Sequence, residues 1–198
     1  MHANTIQPVI AELEELIASN PNLADKLGNI KNQIQEMIQA MVGSYKAEMN
    51  VFRSAAEVDG LTQLGNRRGW ESKTTEYLDD TDVAVVFLDL NGLKIVNDTQ
   101  GHEAGDQMIK QASDCIRASV RPTDYAARIG GDEFVILYTN YPASAETLQN
   151  SIYRIKQQFA GADIKVSVGG ALRSEGETLK DVIALADSRM YEEKRSRR

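Results

Sequence analysis

The chain has 198 residues, of which 42% are hydrophobic and 26% charged, and this composition excludes both a short peptide and an intrinsically disordered protein. No apolar run approaches the roughly 20 residues of a membrane-spanning helix, and the single cysteine, Cys115, excludes an internal disulfide framework or a cysteine-rich zinc site. The net charge of −7 excludes general attraction to nucleic acid polymers, so phosphate chemistry would need a local site.

The first fifty residues carry the apolar spacing of amphipathic helices. One stripe runs from Ile6 to Ile17, with apolar side chains three and four residues apart. Asn20 is suited to cap a second helix and Pro21 to begin it. That helix carries a stripe of mostly heptad spacing: Leu23, Leu27, Ile30, Ile34, Met37, Met41, Tyr45, Met49 and Phe52.

The second stripe needs a partner, and two arrangements are open. It can pack on the first helix alone, as a hairpin, or it can also pair with a second copy of the chain in a four-helix or coiled-coil arrangement. Because a hairpin of about fifty residues has little core of its own, we favour the dimer.

Beyond Val58 the pattern changes to alternating helices and strands, which predicts a separate compact domain. The predicted elements are, in chain order, a helix over 67–78, a buried strand over 83–90, a helix over 105–119, a hairpin with arms 125–128 and 133–138, a helix around 148–159, a strand around 164–168 and a helix from 178. This order predicts an α/β domain with a mixed sheet covered by helices. We divide the chain into a helical segment, residues 1–52, and a domain, residues 53–198.

Acidic residues occur at two places where a strand gives way to a turn. Asp89 ends the most apolar strand, and Asp132 and Glu133 follow Gly130 and Gly131, a glycine pair of the kind that supplies positive φ to a turn. If the hairpin neighbours this strand, the carboxylates converge, and converging oxygen ligands suit Mg²⁺. Each sequence taken singly is also typical of an ordinary turn, so a structural interpretation stays open at this point.

Five short motifs follow one another along the domain. They are Asp59 to Leu64 with Asn66 to Arg68, Asp89 to Asp98, Gly101-His102 with Gly105-Asp106, Arg128 to Phe134 (RIGGDEF), and Ala186 to Lys194. Together, and in this order, they resemble the motifs of the GGDEF family of diguanylate cyclases. The resemblance covers residues 59–198, and it departs from the family at Asn91, Gly92 and Leu93, where relatives often have a second Asp and an aromatic pair.

The resemblance implies a palm-like α/β fold with a ferredoxin-like nucleotidyl cyclase core and a mixed, mainly antiparallel sheet. It implies that each domain binds one GTP, and that a homodimer paired through the N-terminal helices condenses two GTP into cyclic di-GMP and two pyrophosphates. Mg²⁺ is the implied cofactor, with Mn²⁺ as an alternative. We expect a cytoplasmic protein with no membrane or nucleic acid polymer as partner. An idle cyclic di-GMP receptor and a dimerising signalling adaptor are the alternative functions.

The resemblance also implies which residues perform the chemistry. Asp89, the Leu90 carbonyl and Asp132 hold the metal ion. Glu133 has two possible roles, in metal binding or as the base that takes the proton of the ribose 3′-hydroxyl, and the sequence does not separate it from Asp132 in the second. Lys94 assists as a local positive charge at the phosphates.

A further set of residues is implied to bind the nucleotide. Asp106 and Asn97 contact the guanine edge, and because a carboxylate accepts from both N1–H and the N2 amino group, they predict GTP rather than ATP. The remaining substrate-binding residues either let the backbone approach the nucleotide or carry positive charge to its phosphates: Gly130, Gly131, Lys194 and Arg198.

Arg121 and Asp124 have the spacing of the family's Arg-x-x-Asp inhibition site, at which the product binds remotely. An arginine can contact guanine or phosphate through two parallel hydrogen bonds, while the Asp accepts from the guanine edge. We expect Arg154 to supply a second arginine. The alternative is a surface ion pair between Arg121 and Asp124.

Overall fold

The computed structural model describes residues 6–196, except for the side chains of residues 6, 7, 9, 10, 24, 46, 47 and 49–55. The contacts divide the chain into two units, residues 1–52 and 53–198, which are described in turn. Dimerisation through residues 1–52 and cyclase activity of residues 53–198 stay predictions.

The helical segment contains α1 (Ile6–Ala18) and most of α2 (Pro21–Ala56). Asn20 caps α2 as predicted, because its side chain accepts a hydrogen bond of 3.2 Å from the Leu23 N–H. The described apolar side chains from Leu27 to Tyr45 along the predicted stripe are 40–68% exposed, so α1 does not cover them. Met49 and Phe52 lie outside the described side chains. Within residues 6–196, no helix combines the length and apolar character that a bilayer crossing requires.

Besides a short 3₁₀ turn, the domain has the elements that the sequence predicts and two that it does not. In chain order they are β1 (Gly65–Asn66), α3 (Arg67–Glu76), β2 (Ala84–Leu90), α4 (Leu93–Gln100), α5 (His102–Ser119), β3 (Tyr125–Arg128), β4 (Glu133–Tyr138), α6 (Ala145–Gly161), β5 (Val166–Leu172), a 3₁₀ turn (Arg173–Glu175) and α7 (Leu179–Ser196). The unpredicted ones are β1 and α4, and α5 begins three residues earlier than expected.

Two glycines explain the bounds of α4. Gly92 before it and Gly101 after it have φ of +88° and +87°, a region that residues with a Cβ rarely adopt. The chain therefore changes direction at both places, and a separate short helix lies between the strand and α5.

The five strands form one sheet in the order β1-β3-β4-β2-β5. Only the β1–β3 pair is parallel, so the predicted mixed, mainly antiparallel sheet is confirmed. Because β2 lies between two strands and under helices on both faces, all seven of its residues are buried, as its continuous apolar sequence predicts.

Apolar side chains pack on both faces of the sheet. On one face, Leu88 and Phe134 pack with Ile116 of α5 and Ile155 of α6; on the other, residues such as Trp70, Val135, Val182 and Met190 form a second cluster with α3 and α7. Each fully buried large side chain contributes about 1.5–3 kcal/mol to folding. The helices are thereby fixed relative to the strand ends.

The start of α7 also follows the prediction. Thr178 and Asp181 form reciprocal hydrogen bonds, from the Thr178 N–H to Asp181 Oδ2 (2.9 Å) and from the Asp181 N–H to Thr178 Oγ1 (3.2 Å). The hydrogen bonds from Thr178 lower the pKa of Asp181 below its ordinary value.

Candidate functional site

The predicted convergence of acidic residues depends on the pairing of β2 with β4. In this antiparallel pair Asp89 lies directly opposite Glu133, and the Leu90 N–H donates to the Asp132 carbonyl at 2.9 Å. Residues opposite each other in an antiparallel pair project on the same face of the sheet. The end of β2 and the hairpin turn therefore bring Asp89, Asp132 and Glu133 to the same end of the two strands. This end of the sheet is called the acidic edge below.

The two glycines of the hairpin turn have different structural reasons. A Cβ on Gly130 would collide with Glu133 Oε2, whereas a Cβ on Gly131 would meet no atom within 4 Å. Gly130 thus leaves room for the Glu133 carboxylate, and Gly131 leaves the turn open to a molecule outside. The expected positive φ is wrong for both, since among the described glycines only Gly92 and Gly101 have it.

Two arginines donate hydrogen bonds to backbone carbonyls of this turn. Arg128 Nη2 donates to the Gly131 carbonyl at 2.8 Å, and Arg67 Nε donates to the Ile129 carbonyl at 3.0 Å. These arginines satisfy carbonyls that the tight turn leaves without strand partners. Arg67 lies in the first motif of the domain and Arg128 in the RIGGDEF motif, but the sequence analysis predicted no role for either.

Arg128 also connects the turn to the first motif of the domain. Its Nη1 lies 3.5 Å from Asp59 Oδ2, while Asp59 Oδ1 accepts from the Thr62 N–H at 2.8 Å and from its hydroxyl at 2.6 Å. Burial acts to raise the pKa of Asp59, but the Thr62 hydrogen bonds and the Arg128 charge outweigh it and lower that pKa below its ordinary value. Asp59 is therefore an ionised partner for the arginine.

A cavity of about 720 Å³ adjoins the acidic edge. Its lining comes from the segment after β2, the hairpin turn, the residue before β5 and the end of α7: Leu90, Asn91, Gly92, Leu93, Lys94, Ile95, Asp132, Lys165 and Lys194. Three lysines beside one carboxylate suit an anion that shares a cation with the protein. Lys94 and Lys194 were predicted at this place, and Lys165 was not.

Lys194 makes a close ion pair with Asp89. Its Nζ donates to Asp89 Oδ2 at 2.6 Å, and the Asp89 side chain is only 4% exposed. A buried carboxylate without a nearby positive charge would be costly, so this contact stabilises Asp89 in the free protein. A predicted phosphate ligand and a predicted metal ligand are thus neighbours.

The residues present fit a magnesium ion. Asp132 lines the cavity, and Asp89 is the ion-pair partner of the lining residue Lys194. Both side chains carry hard carboxylate oxygens, and Mg²⁺ is usually bound by one or two carboxylates together with substrate phosphates. Within residues 6–196, no group of three or more His, Cys, Asp or Glu side chains is close enough to hold an ion by itself.

The predicted guanine-binding residues lie where α4 meets α5. A Cβ on Gly105 would collide with Asn97 Oδ1, so the Asn97 amide packs directly against the first turns of α5. Asp106 is the next residue of α5 and is exposed. Neither Asn97 nor Asp106 is among the residues that line the cavity.

The predicted inhibition site forms a third group. Asp124 accepts from the Arg121 N–H at 2.8 Å and from the Thr139 N–H at 3.3 Å, so it contacts the backbone of Arg121 and, among the described residues, forms no ion pair with its guanidinium. Burial raises the pKa of Tyr141, and the charges of Arg154 and Arg121 act in the opposite direction. Arg154 Nη2 donates to the Ser119 carbonyl at 3.0 Å, two residues before Arg121.

One predicted site residue falls beyond the part of the chain that the structure describes. Arg198 lies outside residues 6–196, so its phosphate contact stays a prediction. His102, which the sequence places in a loop, is instead the first residue of α5 and is exposed.

The fold and this site define a class of α/β domain in which an acidic strand end and a lysine-lined cavity meet beside a glycine turn. Residues 56–198 match the family model described as "Diguanylate cyclase, GGDEF domain". The chain belongs to the GGDEF family, which confirms the resemblance of its motifs.

Relatives in two bacteria have the same family name in their descriptions. The chain is 34% identical to "Diguanylate cyclase DgcS" of Shewanella oneidensis over 151 residues, 72% of this chain and 51% of the relative. It is 38% identical to "Bifunctional diguanylate cyclase/cyclic di-GMP phosphodiesterase MucR" of Pseudomonas aeruginosa over 148 residues, 69% of this chain and 22% of the relative. The chain thus spans between about a fifth and about half of the length of these relatives.

Solved structures share the fold. The GGDEF domain of DgcB from Caulobacter crescentus, in complex with c-di-GMP, is 30% identical, with a TM-score of 0.64 over 71% of this chain and 91% of that one. The coiled coil and GGDEF domain of the same protein, also in complex with c-di-GMP, is 28% identical, with a TM-score of 0.67 over 80% of this chain and 91% of that one.

Proposed function

We propose that this protein is a diguanylate cyclase that condenses two GTP into cyclic di-GMP and two pyrophosphates as a homodimer. The observation that carries the proposal is the meeting of Asp89, Asp132 and Glu133 at one sheet edge beside a cavity lined by lysines. A relative described as a diguanylate cyclase and family structures in complex with c-di-GMP support it.

The acidic edge is proposed to hold the metal ion. Asp89, Asp132 and the Leu90 carbonyl are its ligands, with Mg²⁺ preferred and Mn²⁺ as the alternative. When bound, the ion supplies positive charge to the triphosphate and to the leaving pyrophosphate. Lys94 and Lys194 add fixed positive charge beside the same phosphates, and Arg198 is proposed to do so from the end of the chain.

Proton removal falls to the hairpin carboxylates. The 3′-hydroxyl oxygen of one GTP forms a bond to the α-phosphorus of the other, the α–β bridging bond breaks, and the hydroxyl proton passes to Glu133 or Asp132. Because Gly130 has no side chain, the turn has room for the Glu133 carboxylate. The open surface at Gly131 supports a close approach of the nucleotide.

Base selection is assigned to α4 and α5. Asp106 is proposed to accept from N1–H and the N2 amino group of guanine, with Asn97 beside it. Adenine presents an acceptor at N1, so each mismatched polar group costs about 1–3 kcal/mol in a desolvated site. The packing of Asn97 against Gly105 supports this assignment, because it brings the amide to the turn of α5 that carries Asp106.

The two half-sites are proposed to meet through the N-terminal helices. One domain holds one GTP, so a monomer has a nucleotide but no second nucleotide to react with. The exposed apolar stripe of α2 supports pairing with a second copy. Product binding at Arg121, Asp124 and Arg154 is proposed to inhibit the dimer by holding its domains apart. The hydrogen bond from Arg154 to the Ser119 carbonyl, two residues before Arg121, supports one common site.

The direct test is to incubate the full chain with GTP and Mg²⁺ and to separate the products by chromatography. We expect cyclic di-GMP with two pyrophosphates for each molecule formed, and no product from ATP. A protein that binds cyclic di-GMP without forming it would be a receptor, and one that neither binds nor forms it would be an adaptor; either result rejects the proposal.

A further inference from the structure

The last turns of α7 are fastened by one carboxylate. Glu193 accepts from Lys156 Nζ of α6 at 3.0 Å and 2.9 Å through its two oxygens, and from the Val168 N–H of β5 at 3.1 Å. The Glu193 side chain is 18% exposed and that of Lys156 is 35% exposed. A partly buried carboxylate with a charged and a backbone donor forms stronger hydrogen bonds than an exposed pair. Glu193 therefore joins α7 to two other elements at once.

Lys194, the next residue, points to a different place. Its Nζ reaches Asp89 at the acidic edge, and its side chain lines the cavity, whereas Glu193 is not among the lining residues. Consecutive helix residues project about 100° apart from the same turn. The turn that Glu193 fastens is thus the turn from which Lys194 extends to the site.

The contact of α7 with β5 makes this fastening more important. A Cβ on Gly169 would collide with backbone atoms of Ala186, Arg189 and Met190, so helix and strand meet backbone to backbone at this point. Side chains of α7 pack in the second cluster beside this contact, and the last buried α7 residue of that cluster is Met190. Near this end of the helix, hydrogen bonds to β5 add to the packing: Glu193 accepts from the Val168 N–H, and Arg189 Nη1 donates to the Gly170 carbonyl at 2.8 Å.

We propose that Glu193, held by Lys156, is a positioning residue that sets the end of α7 so that Lys194 meets the triphosphate of the bound GTP. This inference rests on the proposed function. Glu193 connects α7 to α6 and β5, and Lys194 is the residue of this turn that lines the cavity, so the effect of Glu193 on nucleotide binding is transmitted through Lys194.

The sign of the effect separates positioning from simple electrostatics. Glu193 is an anion near a site for a highly charged anion, so removing its charge would strengthen GTP binding if long-range attraction were its only influence. If Glu193 positions Lys194, removing it weakens GTP binding. Glu192, its exposed neighbour, gives the matched control because Glu192→Ala removes the same charge one residue away.

The experiment measures calorimetrically the dissociation constant of the full chain for a GTP analogue whose α–β bridge cannot be cleaved, with Mg²⁺ present. We expect Glu193→Ala to weaken binding about threefold to tenfold, and Glu192→Ala to leave it unchanged or slightly tighter. Lys156→Met, which removes the partner on another helix, is expected to weaken binding in the same direction by a smaller factor. If Glu193→Ala does not fold, Lys156→Met takes its place in the comparison with the wild type.

A double-mutant cycle then tests the route through Lys194. In a Lys194→Met background, Glu193→Ala is expected to cause no further loss, because the side chain that it positions is absent. The inference is overturned if Glu193→Ala, or Lys156→Met where the alanine variant does not fold, binds the analogue as tightly as the wild type, or if the loss is the same in both backgrounds. Failure of the wild type itself to bind the analogue would instead reject the proposed function, and the inference with it.

Discussion

The two units of the chain bury their apolar side chains to different degrees. In the domain, β2 and β5 are buried along their whole length, and large side chains such as Phe134 and Ile155 are inaccessible to solvent. In α2, Met37, Met41 and Tyr45 are each more than 60% exposed. The domain therefore buries most of its large hydrophobic side chains within one chain, and single exceptions such as Ile95 and Tyr153 are exposed. The exposed residues of α2 instead form a continuous stripe that is fit for a second copy.

This difference suggests a division of labour between the two units. The acidic edge, the lysines and the glycine turn all belong to the domain, so each copy carries a half-site that does not depend on the helices for its assembly. In the proposed dimer, the helices would bring a second half-site close. Changes in one unit should therefore affect chemistry, and changes in the other should affect association.

The largest effect is expected from a substitution at the acidic edge of the domain. Asp132→Ala removes a proposed metal ligand and a candidate base, so we expect turnover of GTP to fall by about a thousandfold or more. Sedimentation should give the same dimer as the wild type, with Asp79→Ala as an exposed control. Loss of the dimer in Asp132→Ala would contradict the division of labour.

The next largest effect is expected from a substitution in the exposed stripe of α2. Ile34→Asp places a charge in the α2 stripe, and we expect turnover per chain to drop about tenfold at low protein concentration and to recover as concentration rises. Asn32→Asp is the control, because residue 32 lies on the opposite side of the helix from the stripe. Equal turnover per chain at every dilution of Ile34→Asp would show that the helices do not assemble the active dimer.

Two glycine-to-alanine variants, one in each unit, are expected to change the free energy of unfolding in opposite directions. Gly169→Ala forces a Cβ into the α7 backbone and should lower the free energy of unfolding of the domain by about 1–3 kcal/mol. Gly28→Ala meets no atom within 4 Å and lies within α2, so it should stabilise that helix by about 0.4–1 kcal/mol. Denaturant unfolding followed by circular dichroism measures both. Opposite signs are the prediction, and the same sign in both would contradict the packing described.

The smallest effect concerns acid stability. The pKa of Asp59 is lower in the folded protein than in the unfolded chain, so its contribution is fully present above the unfolded pKa and is lost as pH falls through the folded one. The melting temperature of Asp59→Asn should therefore lie below that of the wild type at neutral pH, and the two should converge in strong acid. Asp79→Asn supplies the control, and a gap that widens in acid would reverse the sign of this account.

Much of the fold is predictable because its burial pattern is local. The apolar run of β2 and the arms of the hairpin lie within a residue of their predicted bounds. Of these strands, β2 and β4 are largely buried in a sheet covered on both faces. By contrast, β1 has two residues and pairs with β3 far along the chain, and α4 is a short helix set by the backbone of Gly92 and Gly101. Neither leaves a periodic pattern in the sequence.

The candidate site divides in the same way. Asp89 and Asp132 are identifiable because each ends a recognisable element, and their meeting requires only that β2 neighbours the hairpin. Lys165 had no local signal: it lies beside the cavity because its carbonyl accepts from the Asn91 N–H at 2.9 Å, a contact between distant segments. The Glu193–Lys156 pair is likewise a product of how two helices dock on β5.

The central claim is that the acidic edge and the lysine-lined cavity bind one guanine triphosphate together. The most direct measurement is a crystal structure of the full chain with Mg²⁺ and the GTP analogue that cannot be cleaved. The account predicts a metal ion shared by Asp89 and Asp132, with the triphosphate between Lys94 and Lys194. A nucleotide bound elsewhere on the domain, with Lys194 still on Asp89 and no ion between the carboxylates, would contradict it.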